Sequence, residues 1–252
     1  MTTDYEEIGD QYKRAKAQPW RTFIEAPSLL GLVGELAGKS VLDLACGEGH
    51  YTRLLKQGGA DRVSGIDSSP RMIELAREAE EREPLGIDYL VGDVLDLDPP
   101  ERVDLVVAAY LLNYASSREE LRAMCEAVAR ALKPGGRFVT VNSRPGLAFR
   151  GIDYTPYGFE VILPPDTAEG APYIWRIHLD DSSFDITNFI LSAATHEWAL
   201  SEAGLEQVHW VDTIVSAEGQ REFPGDYWDR FLQYPPMQLL ECRASAASPR
   251  IY

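Results

Sequence analysis

Gly47 and Gly49 stand two apart in "VLDLACGEGHYTRLL", after a short apolar run that contains an acid and before a run with helical spacing. Glycine has no Cβ to hold a ligand off the backbone, and it accepts positive φ at no cost. Such a pair therefore marks a place where the main chain approaches something closely. Two acids follow at comparable points: Asp67 closes "RVSGID" and Asp93 closes "YLVGD". A carboxylate at the end of an apolar run is well placed to accept hydrogen bonds from hydroxyl or amino groups.

Two ligand classes compete for such a loop. A dinucleotide asks for G-x-G-x-x-G after the first strand. Here the third position is Thr52, and Glu48 lies between the glycines. A pyrophosphate would face that carboxylate, and unit charges 4 Å apart repel by about 4 kcal/mol at an effective dielectric of 20. S-adenosylmethionine carries no phosphate. Its sulfonium cation and zwitterionic amino acid tolerate acids, so the loop favours it. Asp67 then has the spacing of an acid that binds ribose hydroxyls, about twenty residues beyond the first glycine.

Regular elements must position these groups. "SVLDLA", "RVSGID", "IDYLVGD", "VDLVVAAY" and "RFVTVN" read as five buried strands. Between them lie helical patterns, which predicts a parallel sheet covered on both faces. Gly58-Gly59 stops a helix begun near Tyr51. Ser69-Pro70 is an N-cap followed by proline at the first helical position. Ser116 and Ser117, each with a glutamate three residues on, offer a capping box to a helix with the stripe Leu121, Met124, Val128 and Leu132. Right-handed crossovers bring the strand ends to one edge, where ligands bind.

The spacing thus predicts a doubly wound, mostly parallel sheet, with boundaries at 1–38 (helical cap), 39–142 (binding core), 143–192 (insertion) and 193–252 (completion of the core). In the cap, Tyr5, Ile8, Tyr12 and Lys16 recur at helical spacing and Pro19 ends the segment. The insertion is rich in proline, glycine and aromatics. Its strand candidates, Phe159 to Leu163, Tyr173 to Leu179 and Phe184 to Leu191, predict an antiparallel lid. Val208 to Val211 and Met237 to Cys242 read as two last strands.

The ordered set "VLDLACGEG", "GIDSS", "GDV", "DLVVAAYLLNY" and "LKPGGRFV" resembles the class I S-adenosylmethionine-dependent methyltransferases, over about residues 40–142. The resemblance implies a seven-stranded Rossmann-like sheet. It also implies that Asp43, Ala45, Gly47 and Gly49 line the methionine portion of the cofactor, with Asp67 on the ribose. Ser68 and Met72 would flank the adenosine, Asp93 and Val94 the adenine, and Ala109 and Tyr110 the ammonium and methyl. The stretch "YEEIGDQYKRAKAQPWR" with "PSLL" is similar to the toxoflavin-type small-molecule methyltransferases of bacterial natural-product pathways. That likeness makes Tyr12, Lys16, Trp20 and Arg21 contact candidates, Arg21 as a partner of the methionine carboxylate.

Composition narrows the partners. Formal net charge is -16 over 252 residues, and no Lys/Arg cluster appears, which disfavours nucleic acid and anionic membrane surfaces. Cys46, Cys125 and Cys242 are odd in number and widely spaced, without CxxC or HxxxH, so neither a disulfide framework nor a metal site is expected. With no apolar leader and no long apolar run, a cytoplasmic protein is expected, as monomer or homodimer.

Methyl transfer asks mainly for closeness and alignment, so a base is optional. Candidates for a catalytic role are Tyr110 and His178, the latter the best placed of His50, His178, His196 and His209. Tyr114, Tyr157, Trp175 and His178 are candidates for holding a small aromatic or heterocyclic acceptor, methylated at N or O. Two rivals stand: a nicotinamide-dependent oxidoreductase, and a protein that binds S-adenosylmethionine without turnover. The fourth strand ends in "AAYLLNY", not N/D-P-P-Y, which lowers the DNA or protein amide option.

Overall fold

The computed structural model describes residues 3–99, 101–146 and 149–246. Met1, Thr2 and positions 247–252, at the ends of the expected cap and C-terminal segments, lie outside the described residues. In the central run, β1 (Ser40–Leu44), β2 (Arg62–Asp67), β3 (Asp88–Val91), β4 (Val103–Ala109) and β5 (Leu132–Ser143) pair in parallel. Between them run α3 (His50–Gln57), α4 (Pro70–Arg82) and α5 (Arg118–Ala131). β9 (Leu205–Val211) and β10 (Met237–Ala244) complete the sheet in the order β3-β2-β1-β4-β5-β10-β9. β10 runs antiparallel to both neighbours, so the sheet is mostly parallel, as expected.

Local chemistry sets the helix starts. Ser69 Oγ accepts from the Met72 N–H at 3.2 Å, with Pro70 behind it. Ser117 Oγ accepts from the Glu120 N–H at 3.1 Å. Glu120 does not return to Ser117. Its Oε2 accepts from both the N–H and the hydroxyl of Ser116, at 2.8 Å each, so the box spans both serines. Leu132, expected on the helical stripe, opens β5 instead. Pro134 follows Lys133, and the residue before proline avoids helical backbone.

Alternation along β4 divides the core. Leu105, Val107 and Ala109 face one cluster, shared with the helical cap and the insertion. Val106 and Ala108 face the other, under α5 and α6 (Ala193–Glu202). The cap is α1 (Tyr5–Ala15), a stretch of π-helix (Arg21–Glu25) and α2 (Ala26–Val33). The insertion is a second, antiparallel sheet of β6 (Phe159–Ile162), β7 (Pro172–His178) and β8 (Ser183–Phe189). Two short helices, α7 (Ala217–Glu222) and α8 (Asp229–Gln233), separate β9 from β10. Sequence reasoning named the "DYWDRFLQY" stretch without foreseeing α7. Trp228 and Phe231 of that stretch are buried within the chain.

Candidate active site

Strand order reverses between β1 and β4, and the ends of these strands flank a cavity of about 270 Å³. That volume lies at the lower edge of small-molecule pockets. Ala45, Gly47, Asp67, Ser68 and Met72 line it from the first two strand ends and the start of α4. Asp93 and Val94 join from the end of β3, and Ala109, Tyr110 and Tyr114 from the end of β4. α1 contributes Tyr12. The cavity therefore gathers most of the residues that the sequence singled out.

Loop geometry follows from a few bonds. Asp67 Oδ2 accepts from the Gly47 N–H at 2.8 Å, and Oδ1 from the Ser69 N–H at 2.9 Å. One carboxylate thus ties the glycine loop to the start of α4, with lone pairs left over. Gly49 lies behind the cavity lining, at φ 83°; a Cβ there would sit 2.5 Å from the Tyr89 hydroxyl. Its glycine is required by backbone and packing. Two of the three non-glycine residues with positive φ among the described residues, Ala45 (55°) and Tyr110 (67°), end β1 and β4 at the rim. Strain of this kind persists where a site over-determines the backbone.

Asp43 also lies behind the lining. It is 1% exposed, and its Oδ2 accepts from Thr52 Oγ1 at 2.6 Å, while Oδ1 has no partner. Burial pushes its carboxyl up to about 7, against the lowering bond from Thr52. Burial likewise raises Glu48 and Asp67. Burial thus holds three carboxyl groups above their ordinary range, against the opposing field of Lys16 at Asp43 and Glu48.

Arg21 and Trp175 line a smaller space instead, with Tyr12, Tyr110 and Tyr114. Arg21 Nη1 contacts Glu25 at 3.1 and 3.2 Å. Glu25, fully buried, also accepts from Tyr51 and Tyr110 hydroxyls at 2.5 Å each. Burial works to raise Glu25, but the Arg21 guanidinium, then Lys16 and the two hydroxyls hold it below the usual range. Sequence reasoning missed Glu25, whose partners lie 4, 26 and 85 residues away. It also missed Thr187 and Phe189 of β8 in the large cavity. Tyr5, beside them, bonds the Tyr114 hydroxyl.

Two expectations are corrected by strand parity and core packing. His178 lines neither space: it sits on the other face of β7 from Tyr173, Trp175 and Ile177, 3.4 Å from Glu160. Tyr157 belongs to an aromatic core with Trp228 and Phe231, its hydroxyl donating to the Tyr227 carbonyl at 2.7 Å. Trp20 is buried there too, its indole N–H bonded to Gln18. Lys16 lies over the rings of Tyr12 and Tyr51 at 4.8 and 5.1 Å. Burial lowers His50 to about 4, so it is neutral at pH 7. No helix among the described residues is long and apolar enough to cross a membrane.

Residues 41–136 match the family model described as a methyltransferase domain. A ubiquinone biosynthesis O-methyltransferase of Coxiella burnetii is 32% identical over 145 residues, covering 55% of this chain and 58% of that protein. A ribosomal protein L11 methyltransferase of Burkholderia vietnamiensis is 39% identical over 100 residues, 40% of this chain and 30% of that one. The chain thus spans little more than half the length of the first of these relatives, and less of the second. An S-adenosylmethionine-dependent methyltransferase from Mesorhizobium loti superposes with a TM-score of 0.63 at 22% identity, covering 91% of this chain and 99% of that one. That likeness shows the fold, a Rossmann-like sheet of the kind found in methyltransferases, and residues 41–136 are the part similar to the methyltransferase domain.

Proposed function

We propose that this chain is an S-adenosylmethionine-dependent methyltransferase acting on N or O of a small aromatic or heterocyclic molecule. One observation carries the reading: the glycine loop, Asp67 and Asp93 open on a single cavity backed by raised carboxyl groups. The residues present fit the cofactor. Asp43 Oδ1 is a buried carboxylate oxygen with no partner, and its field and that of Glu48 suit a sulfonium. When bound, the cofactor supplies an electrophilic methyl group.

The chain's own residues do the positioning. Asp67 keeps lone pairs for ribose hydroxyls, and Asp93 with the Val94 N–H suits an adenine edge. The Tyr110 hydroxyl is tied to Glu25, with Met237 Sδ 3.1 Å away, which fixes its ring as a wall of the cavity. The small volume and the covering β8 support a small acceptor over a folded protein such as the L11 relative's. The N-terminal stretch supports the toxoflavin type and a role in bacterial natural-product pathways. Three buried, unpaired cysteines suit a reducing cytoplasm.

Calorimetric titration with S-adenosylmethionine and S-adenosylhomocysteine tests the reading. Micromolar binding of both is expected, and its loss in Asp67→Ala. Retained affinity in that variant, or binding of NADH in preference, would sink the assignment.

A further inference from the structure

The central sheet ends in two edge strands, β9 and β3, and they are finished differently. Along β9, Gln207 takes a positive φ of 56°, and the register with β10 shifts between Glu241 and Arg243. A bulge of this kind, flanked by exposed Glu206 and His209, turns an edge away from further strands. β3 has no such device, and its register with β2 is unbroken. Leu90 and Val91 are 52% and 48% exposed, and Leu95 just beyond is 39% exposed. None of the three is part of either core cluster.

The exposure has a cause in the chain. Residues 92–102, which join β3 to β4, form no helix among the described residues, whereas α3, α4 and α5 cover the other parallel crossovers. The face of β3 that bears Leu90 is therefore bare, although Ile66 and Leu44, next in the same row, are buried. Backbone parity adds a second feature. The Gly92 N–H donates to the Asp67 carbonyl at 2.9 Å, so Gly92 and Leu90 turn their groups to β2. Alternate residues of a parallel strand serve opposite sides, so Tyr89 and Val91 turn theirs outward. Arg77 Nη2 donates to the Tyr89 carbonyl at 2.6 Å, which leaves the Tyr89 N–H and both groups of Val91 open to an added strand. Charge is the third feature. Asp88, Asp96 and Asp98, on the strand and the turn after it, are all exposed. The arginines of α3 and β2, Arg53 and Arg62, pair with Glu80, Glu83 and Glu101 instead.

We infer that β3 is a docking edge for an extended segment of another protein, which adds as an outer strand and carries apolar residues spaced with lysine or arginine. Main-chain bonds to Tyr89 and Val91 hold such a segment, and its alternate side chains set which segment is taken. Its apolar side chains cover Leu90 and Leu95, and its cations answer the three aspartates. A second copy of this chain fits less well. Two β3 edges joined about a two-fold axis would bring the aspartates of both together, and each chain already carries a net charge of -16. The docked strand lies beside the turn that carries Asp93 and Val94 into the large cavity, so a partner at this edge reaches the site without entering it.

The test uses the full chain and three short capped peptides, each titrated calorimetrically. One alternates valine with lysine, one alternates valine with glutamate, and the third is the lysine peptide N-methylated at every amide. The lysine peptide is expected to bind ten-fold or more tightly than either of the others, and to slow hydrogen exchange at the Tyr89 and Val91 amides. Leu90→Lys should weaken it about ten-fold. That side chain is half exposed and lies outside the large cavity, so thermal unfolding of the variant should match the parent. Asp88→Asn with Asp98→Asn keeps the apolar side chains and should weaken the peptide about three-fold. Equal binding of the lysine and glutamate peptides removes the charge match, and equal binding of the methylated one removes strand addition. Binding of none at millimolar peptide, or binding untouched by both variants, removes the edge itself. Each of these overturns the inference. So does a dimer in sedimentation that Leu90→Lys dissolves, which would make a second copy the occupant.

Discussion

The two sides of the site are built in different ways. At the strand ends, the groups that face the large cavity lie within a turn of β1, β2, β3 and β4, and the loop is fixed by backbone bonds to one carboxylate. Its acids Asp43 and Glu48 feel Lys16 only at a distance, and burial raises Asp43 to about 7. On the cap and insertion side, side chains from α1, the π-helical stretch and β7 make the wall, and the buried charges are matched within the protein. A side that always holds the same ligand can be written into the backbone. A side that selects an acceptor is better written in side chains, which change without rebuilding the sheet.

The matched pair gives the largest expected effect. Glu25→Ala would leave the Arg21 guanidinium buried and uncompensated, which costs about 3–5 kcal/mol in such sites. Chemical denaturation should show that loss, and Arg21→Met together with Glu25→Ala should recover part of it. A drop under 1 kcal/mol would mean that water reaches the pair and that the two sides are less distinct than drawn. On the other side, Asp67→Ala should weaken S-adenosylmethionine binding by about 100-fold, about 2.7 kcal/mol, with a smaller change in stability.

A subtler contrast is the pH response. Asp43 titrates near 7 when folded and near 3.9 when unfolded. Between these values the folded chain holds a proton that the unfolded chain releases, so this group's contribution to stability falls as pH rises from about 4 to 7. A sulfonium nearby favours the ionised form. S-adenosylmethionine affinity should therefore rise between pH 6 and pH 8, by about ten-fold at most, or about 1.4 kcal/mol. S-adenosylhomocysteine, which lacks the charge, should show a flatter profile, as should Asp43→Asn. Parallel profiles for both ligands would remove the raised acids from the comparison.

The strand-end side was legible because its signals are local. Ser69-Pro70, Gly58-Gly59 and the apolar runs each declare an element without knowledge of the rest. The opposite side was legible only in part. Glu25 gives only the i,i+4 spacing to Arg21 as a local sign, and the rest of its significance comes from Tyr51 and Tyr110 far along the chain. His178 was misjudged although the signal was present: in "PYIWRIH" alternate residues face opposite ways, which separates His178 from Tyr173 and Trp175. The same parity would have paired Thr187 with Phe189 on one face of β8. Asp43 and Gly49 lie close to the site in sequence, but they face inward, against Thr52 and Tyr89.

The smallest predicted effect concerns Gln18, whose side-chain amide donates to the carbonyls of Gly158 and His178 at 3.1 and 2.8 Å. Gln18→Ala should cost about 1 kcal/mol. Arg14 to Asp181 and Thr187 N–H to Thr3 cross the same seam. Cap and insertion are thereby clasped together across the sheet edge. Either one lifting alone breaks these clasps, so the two should open as a single leaf. Hydrogen exchange would then report one shared opening rate for α1 and β8. Exchange of product would be gated by that common event, with cofactor and acceptor sides exposed in the same instant.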